Sequence, residues 1–146
     1  MPIKITVKKA LEIQNAQFID TRTPKEYNED HLPNAVNIPI LSNEERAVVG
    51  TLYKKVSQDK AIEKGIEFFS AKLPLFMKEI SKYKDTTLII HCWRGGMRSR
   101  TVAALLESLN FKVFQLEGGY KAYRTYVRKK LESYSIKPKI ILLCGM

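Results

Sequence analysis

The stretch TLIIHCWRGGMRSRTVAALLESLNFKVFQL (residues 87–116) contains the pattern that decides the fold class. An apolar run rich in β-branched residues (87–91) is followed by a loop with two glycines, by apolar residues at helical spacing (99–109) and by a second apolar run (111–116). A strand, a helix and a strand in this order form a right-handed crossover between parallel strands. The sequence therefore predicts an α/β fold in three layers, with a central parallel sheet and helices on both faces.

Shorter elements flank this unit on both sides. The predicted ones are a strand at 3–5, a helix at 7–14 with Thr6 as its N-cap, a strand at 17–20, a short helix at 24–28 and a basic helix at 121–133. Residues 42–83 are also helical in pattern: Ser42 and Glu45 form a capping box, and a second helical segment, with a bend at Pro74, covers about 60–82. We expect one domain over residues 1–137, with residues 42–83 as a helical insertion packed on it.

Length and composition exclude several classes of protein. The chain has 146 residues, a formal net charge of +10, 45% hydrophobic residues and two cysteines. These values are typical of one globular domain and exclude a disulfide scaffold. No apolar run approaches the roughly 20 residues of a membrane span, and the N-terminus lacks the apolar core of a signal peptide. We therefore expect no membrane contact and a reducing, cytoplasmic setting.

The positive charge is concentrated in the C-terminal third of the chain. Residues 1–90 carry 14 basic and 12 acidic side chains, whereas residues 91–146 carry 11 basic and 3 acidic ones. Such a surface favours a polyanionic partner, with nucleic acid the usual one, although a solvated basic surface without a partner explains the charge equally well. The candidate phosphate contacts on the basic helix are Lys121, Arg124, Arg128, Lys129 and Lys130.

The chain closes on KIILLCGM (residues 139–146). An apolar strand with a glycine behind it resembles the start of a phosphate-binding loop, in which G-x-x-x-x-G-K-[ST] follows the strand. An edge strand of the same sheet is the alternative. We expect residues 138–146 to be the first strand of a P-loop domain, and Cys144 to be a packing residue.

Cys92 is the candidate nucleophile. It stands where a buried strand ends and a helix begins, and Gly95 and Gly96 allow the loop to curl so that its backbone N–H groups form an anion-binding cradle. The helix dipole, these amides and the guanidinium groups of Arg94 and Arg98 all favour the thiolate, which is the nucleophilic form of cysteine. A buried cysteine that only packs needs neither the glycines nor the arginines.

Two kinds of reaction use a thiolate in such a cradle. In a cysteine phosphatase or arsenate reductase, HCWRGGMRS (91–99) supplies the H-C-x5-R-S pattern, Cys92 attacks the substrate and Arg98 clamps its oxygens. In a chalcogen carrier, Cys92 attacks a sulfur or selenium donor and holds the atom as a persulfide or selenopersulfide anion. A phosphatase also needs a carboxylic acid to protonate its leaving group, and the sequence shows no candidate for that acid.

Nearly the whole chain resembles a known family. FIDTRTPKEYNEDHLPNAVNIP (18–39) is similar to the N-terminal signature of rhodanese domains, and LEGGYKAYR (116–124) to the glycine turn that closes them. The residues that match the first signature are Asp20, Arg22, Pro24, Glu26, His31, Pro33, Ala35 and Pro39. HCWRGGMRSR (91–100) together with ERAVVGTLYKKVS (45–57) resembles the tRNA 2-selenouridine synthases, which join an N-terminal rhodanese domain to a C-terminal P-loop domain. The loop to Arg98 is one residue longer than the usual rhodanese cradle, which leaves the phosphatase interpretation open.

The resemblance implies a function and a set of site residues. The family replaces sulfur by selenium in a wobble 2-thiouridine of certain tRNAs, with selenophosphate as the donor and geranyl diphosphate as a second co-substrate. It implies Cys92 as the essential residue of the rhodanese half, no cofactor or metal in this domain, and tRNA, selenophosphate or its synthase, and the P-loop domain as partners. The residues expected to bind the anion or substrate are Trp93, Arg94, Gly95, Gly96, Met97 and Arg98. Those expected to support them are His91 and the pair Asp20 and Arg22, as an ion pair under the cradle.

Some of these residues also have a purely structural explanation. Trp93 either stacks on a nucleobase, which is worth about 1–3 kcal/mol, or packs against the insertion. His31, in a His-Leu-Pro turn, is expected to cap or to pack rather than to act as a base. A rhodanese-like binding module without catalysis is the third interpretation of the chain, and the presence of both Cys92 and Arg98 disfavours it.

Overall fold

The computed structural model describes residues 1–135, 137, 141–143 and 145. Its strands are β1 (Lys4–Ile5), β2 (Ala16–Asp20), β3 (Val36–Asn37), β4 (Thr87–His91) and β5 (Val113–Leu116). Its helices are α1 (Val7–Glu12), α2 (Pro24–Glu29), α3 (Asn43–Lys55), α4 (Gln58–Ser81), α5 (Met97–Ser108) and α6 (Gly119–Glu132). None of the helices in this part of the chain combines the length and the apolar character that a membrane span requires.

The five strands form one parallel sheet in the order β1-β5-β4-β2-β3. In β4, every residue after Thr87 is buried, as expected for a strand that helices cover on both faces. Asp20 of β2 pairs in register with His91 of β4. The carboxyl ends of these two strands therefore lie side by side, at the edge where open α/β sheets bind their ligands. The predicted α/β fold with a central parallel sheet is confirmed.

Two hydrophobic cores lie on opposite faces of this sheet. Leu88 and Ile90 belong to the first core and Ile89 to the second, as the alternation of side chains along a strand requires. The helical residues in the first core are Phe76 and Ile80 of α4 and Val102, Ala103 and Leu106 of α5. Those in the second are Val7 and Ala10 of α1 and Tyr120 of α6. The predicted helices on both faces of the sheet are therefore confirmed.

Local signals set the ends of the helices. Thr6 caps α1 and Ser42 forms the capping box of α3 with Glu45, as predicted. α1 ends at Glu12, two residues before the predicted end, and Asn15 follows it with a left-handed φ of 55°. α5 begins at Met97, two residues before the predicted start. These differences are within the usual uncertainty of helix boundaries.

Segment 42–83 contains α3 and α4, which pack against each other. Glu45 of α3 and Lys72 of α4 form an ion pair between the two helices. The second helix begins at Gln58 and continues through Pro74 to Ser81. Through its residues in the first core it is fixed to the sheet, so the segment is an integral layer of the domain.

The C-terminal segment is described only in part. The structure describes residues 141–143 and 145 of the stretch 138–146. Residues 141–143, which belong to the predicted strand, are exposed and lie in none of the five strands. Cys144 lies outside the described residues, and a following P-loop domain stays a prediction.

Candidate active site

Cys92 lies directly after the carboxyl end of β4 and is 3% exposed. A short loop, residues 93–96, leads from it to the first residue of α5. Its Sγ atom is 3.2 Å from Oγ of Ser99, which lies in the first turn of that helix. The N-terminal end of a helix carries a partial positive charge, so this position suits an anion.

Most backbone carbonyl groups of the loop are hydrogen-bonded, whereas its backbone N–H groups are free. The carbonyl oxygen of Cys92 accepts a hydrogen bond from the Tyr120 N–H (2.9 Å), and that of Trp93 accepts one from the Lys121 N–H (3.0 Å). In contrast, no acceptor within the described part of the chain is bonded to the backbone N–H groups of residues 93–98. A run of free N–H groups at a helix N-terminus is the donor set of an oxyanion site. We call residues 92–98 the cradle.

Gln115 of β5 holds the cradle from inside the protein, and it was not predicted from the sequence. Its Nε2 atom lies within hydrogen-bond distance of the carbonyl oxygens of Gly95 (2.9 Å) and Gly96 (3.4 Å) and of Oγ of Ser99 (3.0 Å). The residue is 1% exposed, and its Oε1 has no partner among the described residues. A single amide inside the apolar run 111–116 was the signal that could have identified it.

Two glycines are required by close contact between the cradle and the start of α6. Gly95 has a φ of 69°, and a Cβ there would lie 3.0 Å from the backbone nitrogen of Gly118. Gly119 has a φ of 59°, and a Cβ there would lie 2.4 Å from the carbonyl oxygen of Cys92. Gly96, which was also predicted to let the loop curl, has a φ of −84° and open space where its side chain would be. The curl of the loop therefore depends on Gly95 and Gly119.

Arg98 is ion-paired with Glu26 of α2. The guanidinium group donates hydrogen bonds to both carboxylate oxygens, at 2.8 and 3.2 Å. Burial alone would lower the pKa of Arg98, but Glu26 raises it above its usual value. Burial would likewise raise the pKa of Glu26, but Arg98 and Thr23 lower it. A carboxylate does therefore stand at the cradle, contrary to the sequence analysis, but it is ionised at neutral pH and unsuited to donate a proton.

Asp20 and Arg22 form the predicted ion pair beside the cradle. Oδ2 of Asp20 is 2.7 Å from the guanidinium of Arg22, and the two side chains are 0% and 1% exposed. Burial would raise the pKa of Asp20, but His91 and Arg22 hold it well below its usual range. Nε2 of His91 is 3.4 Å from the same oxygen, and this imidazole is 0% exposed. The three side chains thus form a buried polar cluster, built on the Asp20–Arg22 ion pair, that lies at the strand ends and has no access to solvent.

Trp93 packs towards α6. Its ring centroid is 5.4 Å from that of Tyr120, and the guanidinium carbon of Arg22 is 4.3 Å from the centroid of Tyr120 and 5.9 Å from that of Trp93. Trp93 is one of the partly buried residues of the second core. Of the two alternatives for Trp93, packing against the insertion is wrong, because α6 supplies its packing partner, and stacking on a nucleobase stays a prediction.

The cradle opens into a cleft of about 1340 Å³. Residues 92–98 line one side of this cleft, and residues of α3 and α4 line the other. Arg94 and Met97 are exposed within it. The helical insertion is therefore a wall of the candidate site, and no local sequence pattern indicated that placement.

Two sets of predicted residues lie outside the lining of the cleft. The cations of α6 are exposed, and they are Lys121, Arg124, Arg128, Lys129 and Lys130. His31 stacks on Tyr27, with 3.7 Å between ring centroids, and its Nδ1 is 2.8 Å from the Tyr27 carbonyl oxygen. This arrangement confirms the prediction that His31 caps and packs. Among the described residues, no cluster of His, Cys, Asp and Glu could hold a metal ion.

Comparisons with known proteins match most of the chain. The rhodanese-like domain family matches residues 5–126. The tRNA 2-selenouridine synthase of Bdellovibrio bacteriovorus is 33% identical over 98% of this chain, and that of Proteus mirabilis is 35% identical over 88% of it. The matched regions are 38% and 36% of those proteins. The chain therefore spans less than two fifths of the length of the curated relatives it matches.

Solved structures show the same relationship. The N-terminal domain of a Clostridium difficile 630 protein to which ATP/GTP binding is ascribed has a TM-score of 0.82 and 44% identity, and covers 84% of this chain and 97% of its own. A rhodanese-related protein from Thermoplasma volcanium has a TM-score of 0.55 and 20% identity, and the match covers 85% of this chain and 92% of that protein's chain. At this identity the match shows the fold alone. With the parallel sheet and the cysteine loop, these matches show that the chain belongs to the rhodanese-like domain family and is homologous to the N-terminal part of the tRNA 2-selenouridine synthases.

Proposed function

We propose that the chain is the chalcogen-transfer half of a tRNA-modifying selenotransferase, in which Cys92 accepts selenium or sulfur from a donor. One observation carries the proposal. Sγ of Cys92 lies at the start of α5, beside a loop whose N–H groups at 93–98 have no acceptor among the described residues. A persulfide or selenopersulfide anion on Sγ would be stabilised by these preorganised donors.

In the proposed step, a sulfur or selenium atom passes from an oxyanion donor to the thiolate of Cys92. The thiolate of Cys92 attacks the terminal sulfur or selenium atom of the donor and forms a bond from Sγ to that atom. The bond between the atom and the oxyanion part of the donor breaks, and its electron pair leaves with the oxyanion. With selenosulfate as the donor, the leaving group is sulfite. The leaving group departs as an anion, so the step needs no carboxylic acid, which agrees with the ionised state of Glu26.

The acceptor in this proposal is tRNA. The relatives are named tRNA 2-selenouridine synthase, and the same reaction here would replace sulfur by selenium in a wobble 2-thiouridine. The selenium of selenophosphate is at the selenide level and would need an oxidant to load Cys92, so the donor to Cys92 is of the selenosulfate type. Selenophosphate, geranyl diphosphate as the second co-substrate, and a P-loop domain as the partner would belong to other steps of the longer protein. A tRNA substrate would also place the reaction in the cytoplasm.

A phosphatase or arsenate reductase is the second candidate, since five residues separate Cys92 from Arg98. A phosphate monoester leaves as an alkoxide or phenoxide and needs a proton from an acid. The carboxyl group that contacts Arg98 is the ionised Glu26. Slow or absent hydrolysis of an aryl phosphate is therefore expected, and rapid hydrolysis that Cys92→Ser abolishes would support this second function.

The proposal is tested in the full-length protein that contains this chain. Cys92→Ser should abolish selenium incorporation into tRNA, measured as 2-selenouridine in digested tRNA. The matched control is Cys144→Ser, which replaces the other cysteine of the sequence and should retain incorporation. Incorporation by the Cys92 variant would show that the sulfur of this residue does not carry the chalcogen.

A further inference from the structure

We infer that the cleft between the cradle and the insertion is the RNA-binding surface, and that its rim cations, including Lys54 and Lys55 of α3, bind the phosphates that flank the reacting base. The inference rests on the proposed function, because it names the surface by which the same site meets its RNA. It replaces the expectation, from charge along the sequence, that α6 makes these contacts.

Access to Cys92 is the first argument. The residue is 3% exposed and lines the cleft. A base within an RNA stack cannot reach such an atom, so the target base has to leave the stack and enter the cleft. At about 1340 Å³, the cleft is larger than the roughly 300–1,000 Å³ of a site for one small ligand. It therefore has room for a nucleotide as well as for the donor anion.

Charge is the second argument. Eight cationic and two anionic side chains line the cleft, and one pair among them, Arg98 with Glu26, is an ion pair. The other seven cations of the lining form no ion pair with any described residue. These seven are Lys4, Lys25, Arg46, Lys54, Lys55, Arg94 and Arg100. In contrast, Lys60 and Lys64 of α4, which do not line the cleft, are both paired with glutamates. Seven exposed cations face a single carboxylate that is unpaired in the described part of the chain, that of Glu29, around one opening, and this excess of positive charge is complementary to a chain of phosphates.

The wall of the cleft supplies surfaces on which a base can stack. Tyr53 of α3 and Ile66 of α4 line the cleft and are each 59% exposed. Phe69 of α4 lines it as well and is partly buried. Aromatic side chains stack on nucleobases independently of sequence, which suits a base that has left its helix.

The rim is also held rigidly. The Lys25 N–H donates a hydrogen bond to Oδ1 of Asn43 (3.0 Å), which joins α2 to the start of α3. The ion pair between Glu45 and Lys72 joins α3 to α4. The rim cations thus stand on elements fixed relative to the cradle, and phosphate contacts there would hold the base at a set distance from Cys92.

The basic face of α6 does not meet these conditions. None of its cations lines the cleft, and its helix packs on the sheet through Tyr120 in the second core, on the face opposite to α4. Phosphate contacts on α6 would therefore lie outside the lining of the cleft through which a base reaches Cys92.

The test measures binding of an anticodon stem–loop RNA with 2-thiouridine at the wobble position to the 146-residue chain at several salt concentrations. The slope of log K against log salt is negative, and each lost phosphate contact reduces its magnitude by about 0.7 for single strands. Lys54→Ala with Lys55→Ala should therefore reduce the magnitude of the slope by about 1.4. The matched control, Lys8→Ala with Lys9→Ala, removes a neighbouring pair of exposed lysines on α1 and should leave the slope unchanged. Bound RNA should also slow the alkylation of Cys92 by iodoacetamide.

Several results would overturn the inference. They are an unchanged slope in the α3 variant, an equal loss in the α1 control, a loss confined to Arg124→Ala with Arg128→Ala, and absence of RNA binding by the wild-type chain. Loading of Cys92 by selenosulfate needs no RNA, so it separates the two ideas. If Cys92 takes up selenium but the slope in the α3 variant is unchanged, the RNA-binding surface is contradicted and the proposed function is not. If the magnitude of the slope falls in the α3 variant but Cys92 takes up no selenium, the proposed function is contradicted and the RNA-binding surface is not.

Discussion

Glu26→Gln should make the cradle bind oxyanions more tightly. An anion that approaches Arg98 is repelled by Glu26, whose oxygens are 2.8 and 3.2 Å from the guanidinium nitrogens. If roughly 6 Å separates the two negative charges, the repulsion is about 0.7 kcal/mol at the dielectric constant of water and about 2.8 kcal/mol at an effective constant of 20. The side chains of Arg98 and Glu26 are 17% and 28% exposed, which favours a value between these limits. About 1.4 kcal/mol, or tenfold in affinity, is the expected gain.

The assay is the loading of Cys92 by thiosulfate, followed as thiocyanate after transfer to cyanide. The KM for thiosulfate should fall about tenfold in Glu26→Gln. Glutamine keeps the capping box of α2, because its side chain can still accept the Thr23 N–H, so the fold is preserved. Glu45→Gln is the matched control: Glu45 has the same position in the capping box of α3 and also pairs with a cation, but it does not line the cleft. A KM that stays the same or rises in Glu26→Gln would refute the reasoning.

Three further predictions concern the surroundings of the cradle. Gln115→Leu leaves the Gly95 carbonyl without its donor, which should lower the free energy of unfolding by about 1–3 kcal/mol. The same substitution removes the buried Oε1 atom, which has no partner among the described residues, and this should raise the free energy of unfolding by a similar amount. The free energy of unfolding in urea should therefore change by less than about 1 kcal/mol, while Cys92 loading slows about tenfold or more; an unchanged loading rate would contradict the positioning role. Arg22→Met leaves the buried Asp20 carboxylate unpaired and should cost about 3–5 kcal/mol in the same titration, whereas Arg22→Met with Asp20→Asn should cost less. Equal losses would count against a buried ion pair. Finally, the pKa of Glu26 is lowered in the folded state from its usual value of 4.5. The ionised Glu26 therefore stabilises the fold through its ion pair with Arg98 above about pH 4.5, and this stabilisation is lost as the pH falls through the folded-state pKa. The difference in unfolding free energy between wild type and Glu26→Gln should disappear in acid, and a difference that persists there would argue against this titration.

Features with a local cause could be predicted from the sequence. The bounds of β4 were predicted at both ends, because a short apolar run rich in β-branched residues ends at a loop with two glycines. The capping box of Ser42 and Glu45 was predicted because its two residues are three apart in sequence. The parallel sheet followed from the order of the elements, which leaves few topologies open.

Contacts between distant segments could not be predicted in this way. Arg98 and Glu26 are 72 residues apart, and nothing in either local pattern indicates the other. Trp93 lies in a loop, and only the packing of α6 on the sheet determines that Tyr120 is its neighbour. The insertion was recognised as helical, but the side of the cradle on which it packs depends on which of its residues enter the first core.

Loading of Cys92 is the most direct test of the central claim. The 146-residue chain is incubated with selenosulfate and then examined by mass spectrometry under non-reducing conditions, with sulfite measured in the solution. The proposed function predicts a mass increase of one selenium atom on the peptide that contains Cys92, with release of one sulfite per chain, and neither in Cys92→Ser. A wild-type chain that gains no selenium, or that gains it equally in the variant, would contradict the claim that Cys92 carries the chalcogen.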